Sequence, residues 1–384
     1  RRPGAVTRRS AGALVAVLAL RPASRRAQDA EPWRNSYYPV VSYSRNDGWG
    51  IGLQYNWTQR APWDATYPHR GQLGLRASVS THGSYTFLTT FAAPGLSPDW
   101  RFIAEAGAVR DARFQFFGLG DTTTWDRALE TGADQLYYRT DRRRILGDAE
   151  VSRRLHGHLW LAGAASYRHT TFEAPAGNSV FQNDFGPELK ESDATGRLTL
   201  VFDSRDNEYD TRRGLLLETS ALAGSAGSGY QRFTTVLRGW KAFGDYATWW
   251  IDGRLLASTT SGSVPLDGQF FIPTWESSIR SYGGAGTNRG LVDQRYTGAD
   301  VLGANFSVNR DLVNLGLYGA VSVHAFVDAG RVFDVGGFKL TTDGMKVGGG
   351  GGVALRFGKT AIYTFNFAGG PDGFVFTLGD GWMF

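Results

Sequence analysis

The sequence predicts an all-β fold: a transmembrane antiparallel β-barrel of about sixteen strands with a long extracellular loop folded into the lumen. Segments in which apolar residues alternate with polar or small ones recur along the whole chain. The connections between these segments alternate between short and long. The apolar runs are too short to cross a bilayer as helices. Strands in a bilayer must close on themselves, because an unpaired edge is too costly there.

Composition fits this fold and excludes one class of partner. The mean hydropathy of -0.28 neither favours nor excludes a barrel, in which only alternate residues face lipid. The chain has no cysteine, which fits an oxidising compartment. The net charge of +5 comes from seven arginines in residues 1–27, and the remainder carries 34 basic against 36 acidic residues. We therefore expect no nucleic-acid partner.

Residues 1–27 have the layout of a secretory signal peptide. A basic start precedes an apolar run over Ala11–Leu20, and small residues lead to Ala27. Cleavage there would leave residues 28–35 as a periplasmic lead-in and residues 36–384 as the barrel. The alternative interpretation is a disordered basic tail.

The strands follow in order, beginning with Tyr37–Ser44, where Pro39 is tolerable if the strand has a weak partner. Gly50–Trp57 alternates most clearly, with its large apolar residues on one face. The further predicted strands are Gln72–Ser80, Ser84–Ala92, Trp100–Arg110, about Gln135–Leu155, His158–Phe172, Ala194–Asp203, Gly214–Ala223, Tyr230–Ala242, Tyr246–Thr259, Val301–Arg310, Tyr318–Gly330, Met345–Phe357, Thr360–Phe367 and the final stretch Gly373–Phe384.

Loop lengths give the orientation of the barrel. The connections 118–134, 173–192 and 261–300 are long, whereas 94–99 and 156–157 are short. Outer-membrane barrels have short periplasmic turns and long outer loops. The turn 59–70 is longer than this pattern predicts.

Four segments resemble one known family. TNRGLVDQRYTG over 287–298 and HAFVDAG over 324–330 are accompanied by DSRDNEYDTRRG over 203–214 and FFGLGD over 116–121. Together, in this order, they resemble the barrel of the BamA/TamA superfamily, also called the bacterial surface antigen family. In that family an Arg-Gly-aromatic loop core folds into the lumen, and a later strand carries Phe-x-Asp-x-Gly.

The resemblance implies a lumenal loop motif and a partner strand motif. The loop motif is Arg289, Gly290 and Leu291, with leucine where an aromatic residue is usual. The strand motif is Phe326, Asp328 and Gly330. Asp210 stands where the family's periplasmic hairpin often has proline.

Alternation along the strand 318–330 places Asp328 on the lumenal face, since the valines of that strand occupy the other face. We therefore expect a charge-assisted contact between Arg289 and Asp328 that holds the loop inside. The alternative is that both are solvated lumenal charges, with Arg295 and Asp293 as competing partners. The glycine run 348–352 lacks a following Lys-Ser/Thr pair, so we interpret it as a bare strand wall that a loop can approach closely.

No catalytic, metal-binding or cofactor-binding residues can be assigned. The chain has no Gly-x-Ser-x-Gly elbow, and its six histidines lack metal-ligand spacing with carboxylates. We expect that the protein is not an enzyme and uses no cofactor.

The resemblance implies a barrel in the outer membrane of a Gram-negative-type bacterium, assisting insertion or translocation of proteins or lipids through a labile seam between its first and last strands. Pro39, Gly379 and Gly381 would weaken that seam. Phe376, Leu378 and Phe384 look like the family's C-terminal sorting signal, although Asp380 interrupts its apolar register.

Expected partners are outer-membrane lipids and lipopolysaccharide, client proteins and a borrowed periplasmic receptor, since residues 28–35 leave no room for POTRA domains. The alternatives are a passive pore or structural barrel, which includes a subunit of a larger complex, and a soluble secreted β-protein.

Overall fold

One antiparallel sheet of 16 strands forms the wall of the protein within the described residues. The computed structural model describes residues 31–44, 46–62, 64–130, 135–244, 247–280, 282–316, 318–358 and 361–384. The predicted signal peptide, residues 1–27, lies outside the described residues, as does the start of the predicted lead-in. Residues Trp33–Phe384 form one compact unit.

The first nine strands are β1 Arg34–Ser44, β2 Gly48–Arg60, β3 His69–Ser80, β4 Tyr85–Ala93, β5 Trp100–Gln115, β6 Arg139–His156, β7 Leu159–Glu173, β8 Glu188–Asp203 and β9 Gly214–Gly224. The others are β10 Tyr230–Phe243, β11 Trp249–Gly262, β12 Phe271–Thr274, β13 Ser277–Arg280, β14 Asp300–Asn314, β15 Gly319–Phe333, β16 Lys346–Phe357, β17 Ala361–Gly370 and β18 Gly373–Asp380.

Each wall strand pairs with the next one along the chain, which is the meander of an up-and-down barrel. The one interruption is the separate hairpin β12–β13, so that β11 pairs directly with β14. The predicted fold is therefore confirmed, with sixteen wall strands near their predicted positions. Along the described part of the chain, no helix combines the length and apolar character that crossing a membrane requires.

Burial alternates along the strands and places the core inside the barrel. On β8, Leu198 and Leu200 are 64% and 49% exposed, whereas Thr199 and Val201, which alternate with them, are 2% and 0% exposed. The exposed apolar side chains face outward, where a membrane protein meets lipid. The buried side chains point into the lumen, so the packing partners of the wall must be segments that enter the lumen.

The strands extend further at their outer ends than alternation predicts. β5 continues to Gln115 and β8 begins at Glu188, beyond the predicted limits Arg110 and Ala194. Above the lipid both faces of a strand can be polar, so the alternation stops although the ladder continues. The long loop after β7 also contains a short helix, α1 Val180–Phe185, with Ser179 as its N-cap.

The prediction that the closing strand runs to Phe384 was wrong for its last four residues. β18 ends at Asp380, and Gly381 has φ 91, a left-handed conformation that favours glycine. The chain turns there, and Phe384 packs against buried lumenal residues that include Trp160 and Trp240. Phe376 and Leu378 do face outward, 50% and 61% exposed.

Candidate functional site

The segment between β11 and β14 enters the lumen and packs against the wall. Its hairpin β12–β13 contributes Ile272 and Ile279 to a buried cluster with wall residues of β10, β11, β14 and β15. The same cluster contains Leu291, which is 0% exposed. The segment is thus part of the core of the barrel, and the expected inward-folded loop is confirmed.

Arg289 and Asp328 form a bidentate, fully buried ion pair. Arg289 donates from Nε to Asp328 Oδ2 over 2.9 Å and from Nη2 to Oδ1 over 2.8 Å. The backbone N–H of Arg289 adds a third bond of 2.9 Å to Oδ2. The two residues are 4% and 0% exposed. This geometry is what charge-assisted recognition of a carboxylate requires, and the expected contact is present.

Neighbouring groups complete the coordination of this pair. Asn305 Nδ2 donates to Asp328 Oδ1 over 2.9 Å, and Ser307 Oγ accepts from Arg289 Nη2 over 3.1 Å. The guanidinium carbon lies 3.7 Å from the centroid of the Phe326 ring. A buried charge is tolerated when its hydrogen-bonding capacity is satisfied in this way.

The glycines of both motifs allow close approach. A β-carbon on Gly290 would lie 2.6 Å from Gly348 Cα and 2.8 Å from the Gly369 carbonyl oxygen. A β-carbon on Gly330 would lie 2.7 Å from the hydroxyl oxygen of Tyr282, a buried loop residue. The wall glycine run is therefore a surface against which the loop backbone packs, as expected for Gly348.

The competing partners proposed for the pair bind elsewhere. Arg295 donates to Asp372 over 3.0 Å and to the Thr123 hydroxyl over 2.9 Å. Asp293 lies beside Arg280. Burial raises the pKa of the Asp293 carboxyl, and the positive charge of Arg280 offsets only part of that rise. Both residues belong to the loop, but neither substitutes for Arg289 or Asp328.

The tip of the hairpin β12–β13 binds a set of polar wall residues that the sequence analysis did not identify. Trp275 donates from Nε1 to Ser152 Oγ over 2.9 Å and from its backbone N–H to Glu218 Oε2 over 2.5 Å. Glu276 lies 2.6 Å from Arg101, measured from Oε1 to Nε. The signal in the sequence that could have indicated this contact is the dipeptide Trp275-Glu276 inside a long loop, which forms the two-residue turn between β12 and β13.

Glu276 is electrostatically crowded. Burial is the main cause that raises the pKa of Glu276 to about 7, and the nearby carboxylates of Glu208 and Glu150 add to it against the opposing charge of Arg101. One guanidinium serves two carboxylates here, because Arg101 also binds Glu208 through a bidentate contact of 2.9 and 2.7 Å. Glu276 also has φ 58, an uncommon conformation for a residue with a side chain.

The two other motifs contact the mouths of the lumen. In FFGLGD, Phe116 is 0% exposed against Phe181 of α1, and Gly120 N–H donates to the Thr297 carbonyl over 2.8 Å. At the opposite end, the hairpin between β8 and β9 carries Glu208, bound to Arg101, and Asp210, which accepts from Trp382 Nε1 over 2.9 Å. The last residues of the sequence thus contact the periplasmic hairpin.

The structure does not bring the predicted seam residues into one ladder. Among the described residues, β1 pairs only with β2 and β18 only with β17. Consecutive residues of β1 are exposed on both faces, with Tyr37 77% and Tyr38 48% exposed. Pro39 lies opposite Leu53 of β2. Gly379 packs against the Thr364 hydroxyl of β17.

Comparisons with known proteins agree with this architecture. Residues 70–379, more than half of the chain, match the Omp85 superfamily domain. No curated protein matches the sequence. Solved structures with a similar fold include BamA from Haemophilus ducreyi lacking POTRA domains 1–3, with a TM-score of 0.57 and 12% identity over 91% of this chain and 71% of that one.

CdiB from Acinetobacter baumannii is also similar, with a TM-score of 0.54 and 13% identity over 90% of this chain and 59% of that one. CdiB from Escherichia coli has a TM-score of 0.54 and 11% identity over 90% and 60%. The chain thus spans about three fifths of each CdiB chain, and identities this low show a shared fold only. The domain match shows that the chain belongs to the Omp85 superfamily, and the similar folds agree with it. The protein is an outer-membrane β-barrel of the Gram-negative type of cell envelope.

Proposed function

We propose that this barrel assists the insertion or translocation of proteins or lipids at the outer membrane, and that it does so through a labile seam between β1 and β18. The observation that carries the proposal is the absence of a ladder between these two strands in the described residues. An unpaired strand edge is a template for another strand. A client strand could therefore add to β1 or β18 at the level of the membrane.

The packing of the lumen favours the seam over a route along the barrel axis. The loop hairpin reaches Ser152 and Glu218 on the inner wall, and the Arg289–Asp328 pair anchors its base. Clearing the lumen would break buried ion pairs, whereas separating β1 from β18 breaks no ladder between described residues. Opening the seam therefore requires less free energy than clearing the lumen along the barrel axis.

A disulfide or short thiol crosslink across the seam tests the proposal. The chain has no cysteine, so Ser36→Cys on β1 and Gly379→Cys on β18, both near the periplasmic ends of their strands, give a single pair. Purified protein is reconstituted in liposomes, and insertion of an unfolded outer-membrane barrel is followed by its resistance to protease. We expect the crosslinked form to insert client at least about tenfold more slowly, and reduction to restore the rate.

The matched control is the pair Ser220→Cys and Thr234→Cys, which face each other in the permanent β9–β10 ladder. Crosslinking there should leave insertion unchanged. Insertion that proceeds normally with the seam locked would refute the mechanism.

A passive pore is the second candidate, supported by the lumenal faces of β2 and β3. Gln54, Asn56, Thr58 and Gln72 line this side and are only partly buried, and the exposed Arg76 lies opposite Gln54, which leaves a polar surface. Steady conductance in planar bilayers that rises when residues 263–299 are deleted would favour a pore. Absence of any conductance in either form would exclude it.

A periplasmic partner is part of the proposal. Client delivery in this interpretation relies on a receptor that another subunit supplies. Co-purification of the full chain from outer membranes in mild detergent would identify it. Recovery of the barrel alone after crosslinking in intact cells would contradict this part of the proposal.

A further inference from the structure

The periplasmic hairpin, residues 204–213, crosses the periplasmic mouth of the barrel. It leaves the wall between β8 and β9, in the middle of the strand order, yet its contacts reach residues beside both ends of that order. The Glu208 N–H donates over 2.9 Å to the carbonyl oxygen of Thr66, in the turn between β2 and β3. Asp210 accepts from Trp382 Nε1 over 2.9 Å, just beyond β18. A segment this short can touch both only by lying across the opening.

Charged wall residues hold the hairpin on its lumenal side. Arg101 of β5 binds Glu208 through both carboxylate oxygens, over 2.9 and 2.7 Å. Arg212 donates from Nη1 and Nη2 to Asp311 of β14, each over 3.4 Å. These four side chains are at most 13% exposed. The hairpin is thus fastened to the wall by side chains, and not by a strand ladder.

Two departures from the expected sequence pattern serve these contacts. The turn 59–70, which is longer than the loop pattern predicts, is what brings Thr66 to the hairpin. Asp210 stands where the resembled family often has proline, and its carboxylate lies 3.2 Å from Arg212 and 3.5 Å from Arg356 of β16. A proline side chain has no acceptor that could hold these groups.

The hairpin has hydrogen bonds of its own that do not involve the rest of the wall. The Asp206 N–H donates to the Arg213 carbonyl oxygen over 3.0 Å, and Asp206 Oδ1 accepts from the Arg212 N–H over 3.0 Å. Asn207 Oδ1 accepts from the Tyr209 N–H over 3.0 Å. A loop packed by its own groups can keep its structure when it moves as a unit.

Release of the hairpin leaves its charged wall partners paired. Arg101 keeps Glu276 of the lumenal loop, which accepts from Nη2 over 3.0 Å. Asp311 keeps Ser322 Oγ, which donates over 2.7 Å, and Asn314 Nδ2, which donates over 3.1 Å. Breaking a buried ion pair is costly when it leaves an uncompensated charge, and neither of these wall residues becomes one. The contacts are therefore built to separate.

We propose that residues 204–213 are a lid that closes the lumen to the periplasm and opens as a unit about the ends of β8 and β9. Behind it lies a lumenal cavity of about 410 Å³, lined by Trp382 and by polar residues that include Asn309, His324 and Asn366. Opening admits periplasmic water and solutes to this cavity. The lid is independent of the seam, because its opening requires no change at β1 or β18.

A thiol placed behind the lid reports its opening. The chain has no cysteine, so Thr364→Cys, at a cavity-lining position 7% exposed, gives a single lumenal thiol. The full chain in detergent is treated with a charged methanethiosulfonate, and mass spectrometry follows the labelling rate. Adding Glu208→Gln/Arg212→Gln should raise that rate at least about tenfold, because two charge-assisted contacts of the lid are lost. Arg153→Gln, on an exposed side chain near the periplasmic end of β6, is the matched control and should not change it.

Hydrogen exchange resolved to single residues tests the lid in the unaltered chain, so the test stands even if the double variant does not fold. Opening as a unit breaks the Glu208 N–H bond to Thr66 but keeps the Arg212 N–H bond to Asp206. We expect the first amide to exchange at least about tenfold faster than the second. Equal exchange of the two amides, unchanged labelling in the double variant, or equal acceleration in Arg153→Gln would overturn the proposal.

Discussion

Gly290 of the lumenal loop and Gly348 of β16 pack backbone against backbone, with no room for a side chain on either. Their neighbours form the Arg289–Asp328 pair, so the contact sets how deeply the loop is seated. The first prediction follows from this geometry. Gly290→Ala should destabilise the barrel by about 2 kcal/mol or more, because the obstructing atoms belong to the backbone and cannot rotate away.

The control is Gly349→Ala, one residue along the same glycine run from Gly348. Its β-carbon would meet the Phe326 carbonyl oxygen at 3.5 Å, an ordinary contact. We expect a change within about 0.5 kcal/mol. The temperature at which the folded band disappears from unboiled gels measures both. Equal effects would show that the close approach is unimportant.

Removing either member of the buried pair should be costly. Arg289→Ala and Asp328→Ala should each lower the free energy of unfolding by about 3–5 kcal/mol, because each leaves an uncompensated buried charge. The double variant should lose less than the sum of the two. Urea unfolding in detergent, followed by tryptophan fluorescence, provides the measurement.

The exposed pair Lys190–Glu188, with side chains 58% and 43% exposed, is the comparison. Lys190→Ala should cost less than about 1 kcal/mol. If Arg289→Ala leaves stability and loop proteolysis unaltered, the loop is not held by this pair.

Glu276 should make seating of the hairpin depend on pH. Its pKa rises from 4.5 to about 7 on folding, so the folded protein binds more protons than the unfolded chain between these values. Stability from this group is therefore fully present below about pH 4.5 and is lost as the pH rises through 7, by about 3 kcal/mol at most. The unfolding temperature at pH 5 and pH 8 measures it.

Glu276→Gln, which mimics the protonated acid, should flatten that dependence. Glu188→Gln, on an exposed acid at the outer end of β8, should retain it. A wild-type slope in Glu276→Gln would mean that other groups cause the dependence.

The unpaired edge of β1 should exchange its amide hydrogens quickly. β1 and β9 both have 11 residues, but β9 is paired on both sides and β1 on one. Among the described residues, the amides of 35–44 that face the open edge have no ladder partner, so we expect exchange there at least about tenfold faster than in 214–224. Mass spectrometry of peptides from protein in detergent resolves the two segments. Equal protection would indicate that β1 is paired in solution.

Local sequence determined most of the wall. Alternation places each outward side chain, because in a strand the period of two leaves no choice of face once lipid is on one side. Loop lengths gave the orientation. The family resemblance supplied Arg289 as the loop residue, and alternation placed Asp328 on the lumenal face, so that their contact could be expected beside the alternative partners Arg295 and Asp293. Strand ends above the lipid were less predictable, since the polar environment there removes the alternation.

The sequence by itself thus determined a β-barrel of sixteen strands, its inward loop and the ion pair at the base of that loop. Only the tertiary structure decided which wall residues bind Trp275 and Glu276, and that Trp382 contacts Asp210. It also showed that the described residues form no β1–β18 ladder. These contacts join residues 123, 175 and 172 positions apart. No local periodicity encodes such pairs, because they depend on where the folded wall brings distant side chains together.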